Sequence, residues 1–361
     1  MIAKVKGPHN HPRPGPAPRL LAPFAALAEP VYRYVLGRRN QRFDRGRGVI
    51  EFDRPVISVG NLSVGGTGKT PTTRLLIRLL REQGHWPCVA MRGYRQHSGL
   101  SDEAAEYRSV FPDLPMVVQP NRADGLLELF ASENGSRVDC VLLDDGFQHR
   151  KIARQLDIVL IDATRDPSSD CLLPRGWLRE PLESLARAHL VVLSHAESVP
   201  PAELQALSER VSRHTRPGAP VLNASHVWED FMVHDAVARG VESLSWLAGK
   251  RCFVCCAIGN PDAFVAQVRR HATVEGVLAL PDHDAYREAV VRRLTDQVRA
   301  SGADTLVVTR KDWAKLSGRD FPFPVAVPRL EVRLDTGVLR ELVAGVWRSA
   351  SWPHDQEPEG A

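Results

Sequence analysis

Apolar residues are distributed along this chain in two rhythms. Five short runs, Pro55–Val59, Pro87–Met91, Val138–Leu143, Ile158–Ile161 and Leu190–Leu193, are apolar at nearly every position. Strands covered on both faces read this way, whereas half-exposed strands alternate. The longer stretches between them leave room for helices. The pattern therefore predicts an α/β fold, a mostly parallel sheet with helices on both faces. A second series, Cys252–Ile258, Val274–Leu280, Thr305–Thr309 and Val325–Leu334, predicts a second, smaller α/β domain. The polar stretch near residues 195–250 is the expected boundary, which places the domains at residues 51–225 and 226–348. Residues 349–361 read as a disordered tail.

Near the N-terminus the rhythm becomes helical. Leu20, Phe24, Leu27, Val31 and Val35 recur at steps of three and four, one face of an amphipathic helix within residues 20–50. Pro23 suits a first turn, and Pro30 is expected to kink or divide the helix. Ahead of it, Pro8, Pro12, Pro14, Pro16 and Pro18 mark residues 1–19 as a disordered tail and not a secretory signal. The apolar stretch Leu20–Ala28 has nine residues, against about 20 for a membrane-crossing helix. No span is expected.

Charge changes the picture of this head. Over all 361 residues the net charge is only +4, but residues 1–50 hold ten Lys/Arg against two acids, Glu29 and Asp44, a net of +8. The other 311 residues therefore sum to −4. A basic, amphipathic segment fits either an interfacial anchor on anionic lipid or an ordinary helix with a solvated basic end. A nucleic-acid partner is disfavoured, because Tyr32 and Tyr34 sit in the helical stretch and form no stacking platform. The six cysteines lie scattered, several in apolar runs, as small buried hydrophobes of a reducing compartment. Cys252-x-x-Cys255 has no second ligand pair at zinc spacing, so the cysteines imply no metal cluster.

The chemistry concentrates after the first strand. Ser63-Val64-Gly65-Gly66-Thr67-Gly68-Lys69-Thr70 lies between the strand at 55–59 and a helix expected from Lys69 to Gln83, ended by Gly84. That is the place and form of a P-loop, with Ser63 at the usual first glycine. Glycines let consecutive backbone N–H groups converge on phosphate oxygens, and the helix N-terminus adds its dipole. Lys69 is expected on the β/γ-phosphates and the Thr70 hydroxyl on Mg²⁺. Asp144 and Asp145 close the apolar run at 138–143 and supply the acidic edge such a site requires. Gln148 and His149 follow, placed to face a ligand. The long gap between Gly93 and Val138 is expected to carry an active-site insertion.

These pieces together resemble the tetraacyldisaccharide 4′-kinase family of lipid A biosynthesis. The resemblance rests on Gly60-Asn61-Leu62-Ser63 through Thr70-Pro71, Arg92-Gly93-Tyr94, Ser101-Asp102-Glu103, and Leu142-Leu143-Asp144-Asp145-Gly146-Phe147-Gln148-His149. It continues in Leu173-Pro174-Arg175-Gly176, Arg179-Glu180-Pro181, Pro281-Asp282-His283 and Thr309-Arg310-Lys311-Asp312. The motifs are collinear from about residue 20 to 315, and the serine at position 63 is shared by that family. Two departures stand out. Ala104 replaces the family's usual Pro after Asp-Glu, and Arg310 replaces its usual Glu.

The resemblance implies a P-loop NTPase-type fold and transfer of the γ-phosphate of ATP to the 4′-hydroxyl of tetraacyldisaccharide 1-phosphate, giving lipid IVA. It implies ATP and Mg²⁺ as cofactors and a peripheral monomer on the cytoplasmic face of the inner membrane. The lipid substrate favours the interfacial reading of the N-terminal helix. Asp102 is the expected base for the hydroxyl proton, with His283 pairing to it and Lys69 and Arg179 meeting the phosphoryl charge. Glu103, Asp144, Asp145 and Thr70 are the expected Mg²⁺ residues. From the residues alone, Asp102 reads rather as a cap of the helix that follows it, and His283 as part of a surface turn. Arg175 is a second candidate beside Arg179, and either would also suit the substrate's 1-phosphate. Rival classes are a P-loop kinase for another lipid or metabolite, and a GTPase or metal-insertion chaperone. Thr309-Arg310-Lys311-Asp312 loosely echoes a guanine motif, although Asp144-Asp145-Gly146 misplaces the glycine a GTPase needs.

Overall fold

The computed structural model describes residues 21–93, 102–235, 239–258, 261–281 and 284–348, without the Asp102 side chain. Its elements begin with helix α1 (Ala22–Asp44), strand β1 (Val56–Asn61), α2 (Lys69–Glu82) and β2 (Pro87–Met91). Next come α3 (Asp102–Val110), β3 (Met116–Val118), α4 (Arg122–Phe130), β4 (Cys140–Asp144) and β5 (Leu156–Asp162). They are followed by β6 (Leu190–Ser194), α5 (Pro201–Ser212), β7 (Val221–Asn223), β8 (Ser225–His234) and β9 (Arg239–Ser243). The chain ends through β10 (Arg251–Cys256), α6 (Pro261–Val268), β11 (Thr273–Ala279), α7 (Glu288–Ser301), β12 (Thr305–Val308), α8 (Arg310–Leu316), β13 (Val325–Arg333) and α9 (Thr336–Arg348).

Seven strands form one sheet in the order β3-β2-β4-β1-β5-β6-β7. Every pairing in it is parallel, as the unbroken apolar runs predict. All six residues of β1 are buried, since β4 and β5 flank it and side chains pack on both faces. One layer gathers Val159, Ile161, Val191, Leu193 and Phe147; another gathers Val56, Cys88, Val141, Leu143 and Leu126. Successive residues of a strand point to opposite faces, so both faces of a central strand are buried, and β1 is apolar but for Ser58 and Asn61. The second sheet runs β11-β10-β12-β13-β8-β9 and is mixed, with β8 and β9 antiparallel. In β10 the alternation is explicit: Phe253 and Cys255 join one core layer, Cys252, Val254 and Cys256 the other. Burial lifts the Cys255 and Cys256 thiols to about 12, which fits inert core residues.

The chain separates into two compact units that do not follow chain order throughout. The first holds residues 1–101, 111–226 and 332–361; the second holds 102–110 and 227–331. Thus α3 groups with the second unit, where α8 meets it and Arg310 bonds Ser109. Conversely, α9 groups with the first, where Trp347 stacks on His85. A boundary drawn along the sequence misses both, because neither excursion is marked by a change in composition.

Helix α1 runs through Pro30 without the division expected of it. The missing N–H removes one bond, while neighbouring turns are tied to the first unit: Glu29 pairs with Arg175 and the Tyr32 hydroxyl donates to the Arg179 carbonyl at 2.8 Å. The tied face carries Ala25, Glu29 and Leu36, all buried. The other face exposes Phe24 at 69%, Leu27 at 75%, Val31 at 64% and Val35 at 58%. No helix among the described residues is long and apolar enough to cross a membrane.

Candidate active site

At the carboxyl edge of the first sheet, β1 feeds a loop that opens α2, beside the point where the chain's strand order reverses. Ligands of open α/β sheets bind at such edges. Two glycines give the loop its shape: Gly65 at φ 126° and Gly68 at φ 80°, the latter just before α2. Both values lie where a Cβ is penalised. Helix α2 has no side-chain cap and no acid in its first turn. Its first amides are therefore left to an anion, with the helix dipole favouring negative charge there.

The loop is pinned from two sides. Inside it, the Asn61 amide donates to the Thr67 hydroxyl at 3.0 Å, both residues buried. Alongside, Val64 N–H donates to the Trp177 carbonyl at 2.8 Å and Arg179 N–H to the Leu62 carbonyl at 2.6 Å. Segment 171–180 thus lies against Ser63 and Val64, which is how Arg179 reaches the site. Gly65 and Gly66 stay exposed, their backbone accessible to phosphate.

Asp144 ends β4 level with Val59 of β1 and is 5% exposed. Asp145 follows with a left-handed φ of 52°, which turns its carboxylate towards the loop. Lys69 Nζ stands 3.5 Å from Asp145 Oδ1, and one Arg179 nitrogen lies 2.9 and 2.8 Å from its two oxygens. Burial opposes ionisation of Asp145, yet Lys69 and Arg179 hold its carboxyl below the usual carboxylate range. Two cations thus converge at an uncapped helix start, with a carboxylate between them. Thr70, one residue on, is half-buried. The hydroxyl of Thr70 and the carboxylates of Asp144 and Asp145 are hard oxygen donors, a set that fits Mg²⁺.

Gln148 joins the pieces: its Nε2 donates to the Asn61 carbonyl at 2.8 Å and its Oε1 lies 3.4 Å from the Arg179 guanidinium. His149 is pushed down to about 4 by burial and then by Arg122 and Arg154, so it is neutral at pH 7. Tyr32, Asn61 and Glu180 also support the site; Asn61 and Glu180 stand in motifs of the family resemblance without an assigned role, and Tyr32 stands in none. Glu180 is fully buried between Asn40 and Arg187, at 3.1 and 2.9 Å, and joins α1 to the Arg179 segment.

Lys69, Asp145 and Arg179 are therefore brought together, with Thr70 and Asp144 adjacent in the chain. Asp102 and Glu103 open α3, in the second unit. The Asp102 side chain and His283 lie outside the described residues, so their pairing stays an expectation. Arg175 is directed to Glu29, at 3.3 Å. Thr309 and Asp312 form a helix cap: Thr309 Oγ1 accepts from Asp312 N–H, and the fully buried Asp312 carboxylate accepts from Ala257 N–H at 3.2 Å. A carboxylate consumed in this way is no base reader.

A parallel sheet whose central strand ends in an uncapped, lysine-bearing phosphate loop, with acids on the next strand, defines a P-loop nucleotide-binding protein. The profile of the tetraacyldisaccharide-1-P 4′-kinase family matches residues 17–347. The tetraacyldisaccharide 4′-kinase of Anaeromyxobacter sp. strain K is 33% identical over 348 residues, covering 91% of this chain and 90% of the relative. That of Syntrophotalea carbinolica is 35% identical over 315 residues, covering 81% and 83%. The crystal structure of LpxK from Aquifex aeolicus in complex with ATP superposes with a TM-score of 0.68 at 25% identity, over 91% of this chain and 98% of that one. This chain belongs to the tetraacyldisaccharide 4′-kinase family.

Proposed function

We propose that the protein transfers the γ-phosphoryl group of ATP to the 4′-hydroxyl of tetraacyldisaccharide 1-phosphate, forming lipid IVA. The observation that carries this is the Lys69–Asp145–Arg179 cluster at the uncapped start of α2, in a chain of this family. A transferring phosphoryl group spreads charge over its oxygens, and positioned cations are the main catalytic means available to the protein. On nucleotide binding, Lys69 and Arg179 exchange Asp145 for phosphate oxygens. Arg179 suits the transferring group because a guanidinium donates to two oxygens at once. Gln148 and the Leu62 carbonyl hold Arg179 in place for that role.

Thr70, Asp144 and Asp145 would hold Mg²⁺, which supplies further charge neutralisation at the β- and γ-phosphates. Glu103 is a further expected ligand by family resemblance. Asp102 accepts the proton of the 4′-hydroxyl, with His283 orienting it, while ADP departs from the P-loop.

The lipid acceptor makes a membrane surface the natural workplace. The exposed stripe Phe24, Leu27, Val31 and Val35 seats α1 in the lipid boundary, and the arginines after it meet anionic head groups. In this reading the protein is a peripheral monomer on the cytoplasmic face of the inner membrane, with domains at 51–225 and 226–348 apart from the α3 and α9 exchanges.

The test follows ³²P from ATP or GTP into tetraacyldisaccharide 1-phosphate in detergent micelles. ATP supports labelling well above GTP. Asp102→Ala lowers kcat about 100- to 10,000-fold, the range for loss of a general base, with ATP binding retained. Loss of ATP binding in that variant would assign Asp102 a structural role. GTP preferred over ATP would point to a nucleotide switch.

A further inference from the structure

One cluster of metal-type donors lies outside the phosphate chemistry. Strand β6 ends at Ser194, and His195 follows at a left-handed φ of 59°, a conformation rare for a residue with a side chain. Glu197 sits in the short turn 196–198, and His226 is the second residue of β8. Backbone bonds fix the two segments together, Ala196 N–H to the Ala224 carbonyl at 3.1 Å and Ala224 N–H to the Leu193 carbonyl at 2.8 Å. All three residues belong to the first unit.

Their donors converge. The two imidazole Nδ1 atoms are 2.8 Å apart, and His195 Nδ1 is 3.8 Å from Glu197 Oε1. One donor atom from each of the three lies within 4.8 Å of the others. Ligands on one zinc-type ion stand about 2.0–2.2 Å from it, hence within about 4 Å of one another. His195 Nδ1 and Glu197 Oε1 satisfy that limit, and the two ring nitrogens share a hydrogen bond whose proton an ion displaces as they open by about half an ångström.

The surroundings are those of a held site. Glu197 Oε2 accepts from His226 N–H at 2.9 Å, which orients the carboxylate and leaves Oε1 to the cluster. His195 bonds the Gly66 backbone and feels the charge of Asp162. A ligating histidine bonded through its remaining polar atom to a carbonyl is the usual outer arrangement of a metal site. His226 is 5% exposed, whereas Glu197 is exposed, so an ion has access from that side.

We propose that His195, Glu197 and His226 bind a borderline divalent transition-metal ion of the zinc class behind the P-loop. Two imidazoles and one carboxylate form a zinc-type donor set, unlike the all-oxygen ligands that Mg²⁺ takes. The site touches the loop directly: His226 Nε2 is 2.5 Å from where a Cβ on Gly68 would stand. An ion fixing both rings therefore bears on Gly66 and on Gly68, the second of which shapes the phosphate loop.

Co²⁺ titration of the untagged, chelator-stripped full chain tests this, read by visible absorbance, with Zn²⁺ used to displace it. The readout needs no phosphoryl transfer, so it stands apart from the kinase assay. One Co²⁺ per chain should bind with ligand-field bands, be displaced by Zn²⁺, and resist excess Mg²⁺. His226→Ala and the isosteric Glu197→Gln should weaken it at least about tenfold, with circular dichroism confirming that each is folded. Lys69→Ala should leave it unchanged. Absence of Co²⁺ binding, binding equal in all variants, or loss only in Lys69→Ala would each overturn the site.

Discussion

Gly60 shows how closely single residues are bound into this site. A Cβ there would fall 2.5 Å from Phe147 Cβ and 2.6 Å from its backbone nitrogen. Gly60 is the penultimate residue of the strand that carries the phosphate loop, and Phe147 follows the acidic pair, so this contact sets the spacing between the loop and the carboxylates. Gly60→Ala is expected to cost about 1–3 kcal/mol, the usual range for overpacking, and to weaken ATP binding as well. Urea denaturation and nucleotide titration check the two effects; full stability with full affinity would show that the backbone yields there. Arg179 is the second residue at which the proposed chemistry is tested. Arg179→Ala should lower kcat by about 100- to 1,000-fold, as loss of a donor to transition-state charge does. Arg179→Lys should recover part of the rate, and steady-state kinetics with wild-type rates in both would remove Arg179 from the chemistry.

Among the elements, α1 has two unlike faces. Its inner face is held by Glu29, Tyr32 and Asn40, and its outer face displays a contiguous apolar stripe. Burying a Phe or Leu side chain is worth about 1.5–3 kcal/mol. Phe24→Asp with Leu27→Asp should therefore reduce partitioning onto anionic vesicles at least about tenfold, read by flotation, while turnover of a water-soluble acceptor analogue is retained. Equal flotation of wild type and variant would dismiss the stripe as an anchor. The spacing of apolar residues did not reveal that the opposite face is tied to the body, where Glu29 and Asn40 meet the distant Arg175 and Glu180.

Across the whole molecule, buried histidines tie stability to pH. Burial first, and neighbouring arginines second, push His149 and His189 down to about 4. An unfolded histidine takes its proton near 6.5. Between about pH 6.5 and 4 the unfolded chain thus binds more protons, so stability rises with pH across that window and falls on acidification. Denaturation midpoints at pH 5 and 7 should show this drop, and His149→Gln with His189→Gln should flatten it. A pH-independent midpoint in the wild type would contradict it.

How much of this was readable in advance differs by kind of feature. The parallel sheet was legible because strands buried on both faces are apolar at nearly every position, and the phosphate loop because its residues are contiguous. The supports of Arg179 and the His195–Glu197–His226 cluster were not. Their members are separated by up to 147 residues, as in the Tyr32–Arg179 bond, and only the returning chain brings them together. The α3 and α9 exchanges between units were hidden for the same reason.

Phosphoryl transfer from ATP to one hydroxyl of an acylated disaccharide leaves its mark in the structure of the product. Purified protein, ATP, Mg²⁺ and tetraacyldisaccharide 1-phosphate should yield a lipid heavier by one phosphoryl group by mass spectrometry, with two-dimensional NMR placing it at the 4′ position. Lys69→Ala should yield none. An unmodified lipid from folded, ATP-binding wild-type protein, or a phosphate at any other position, would rule out 4′-phosphorylation as its activity.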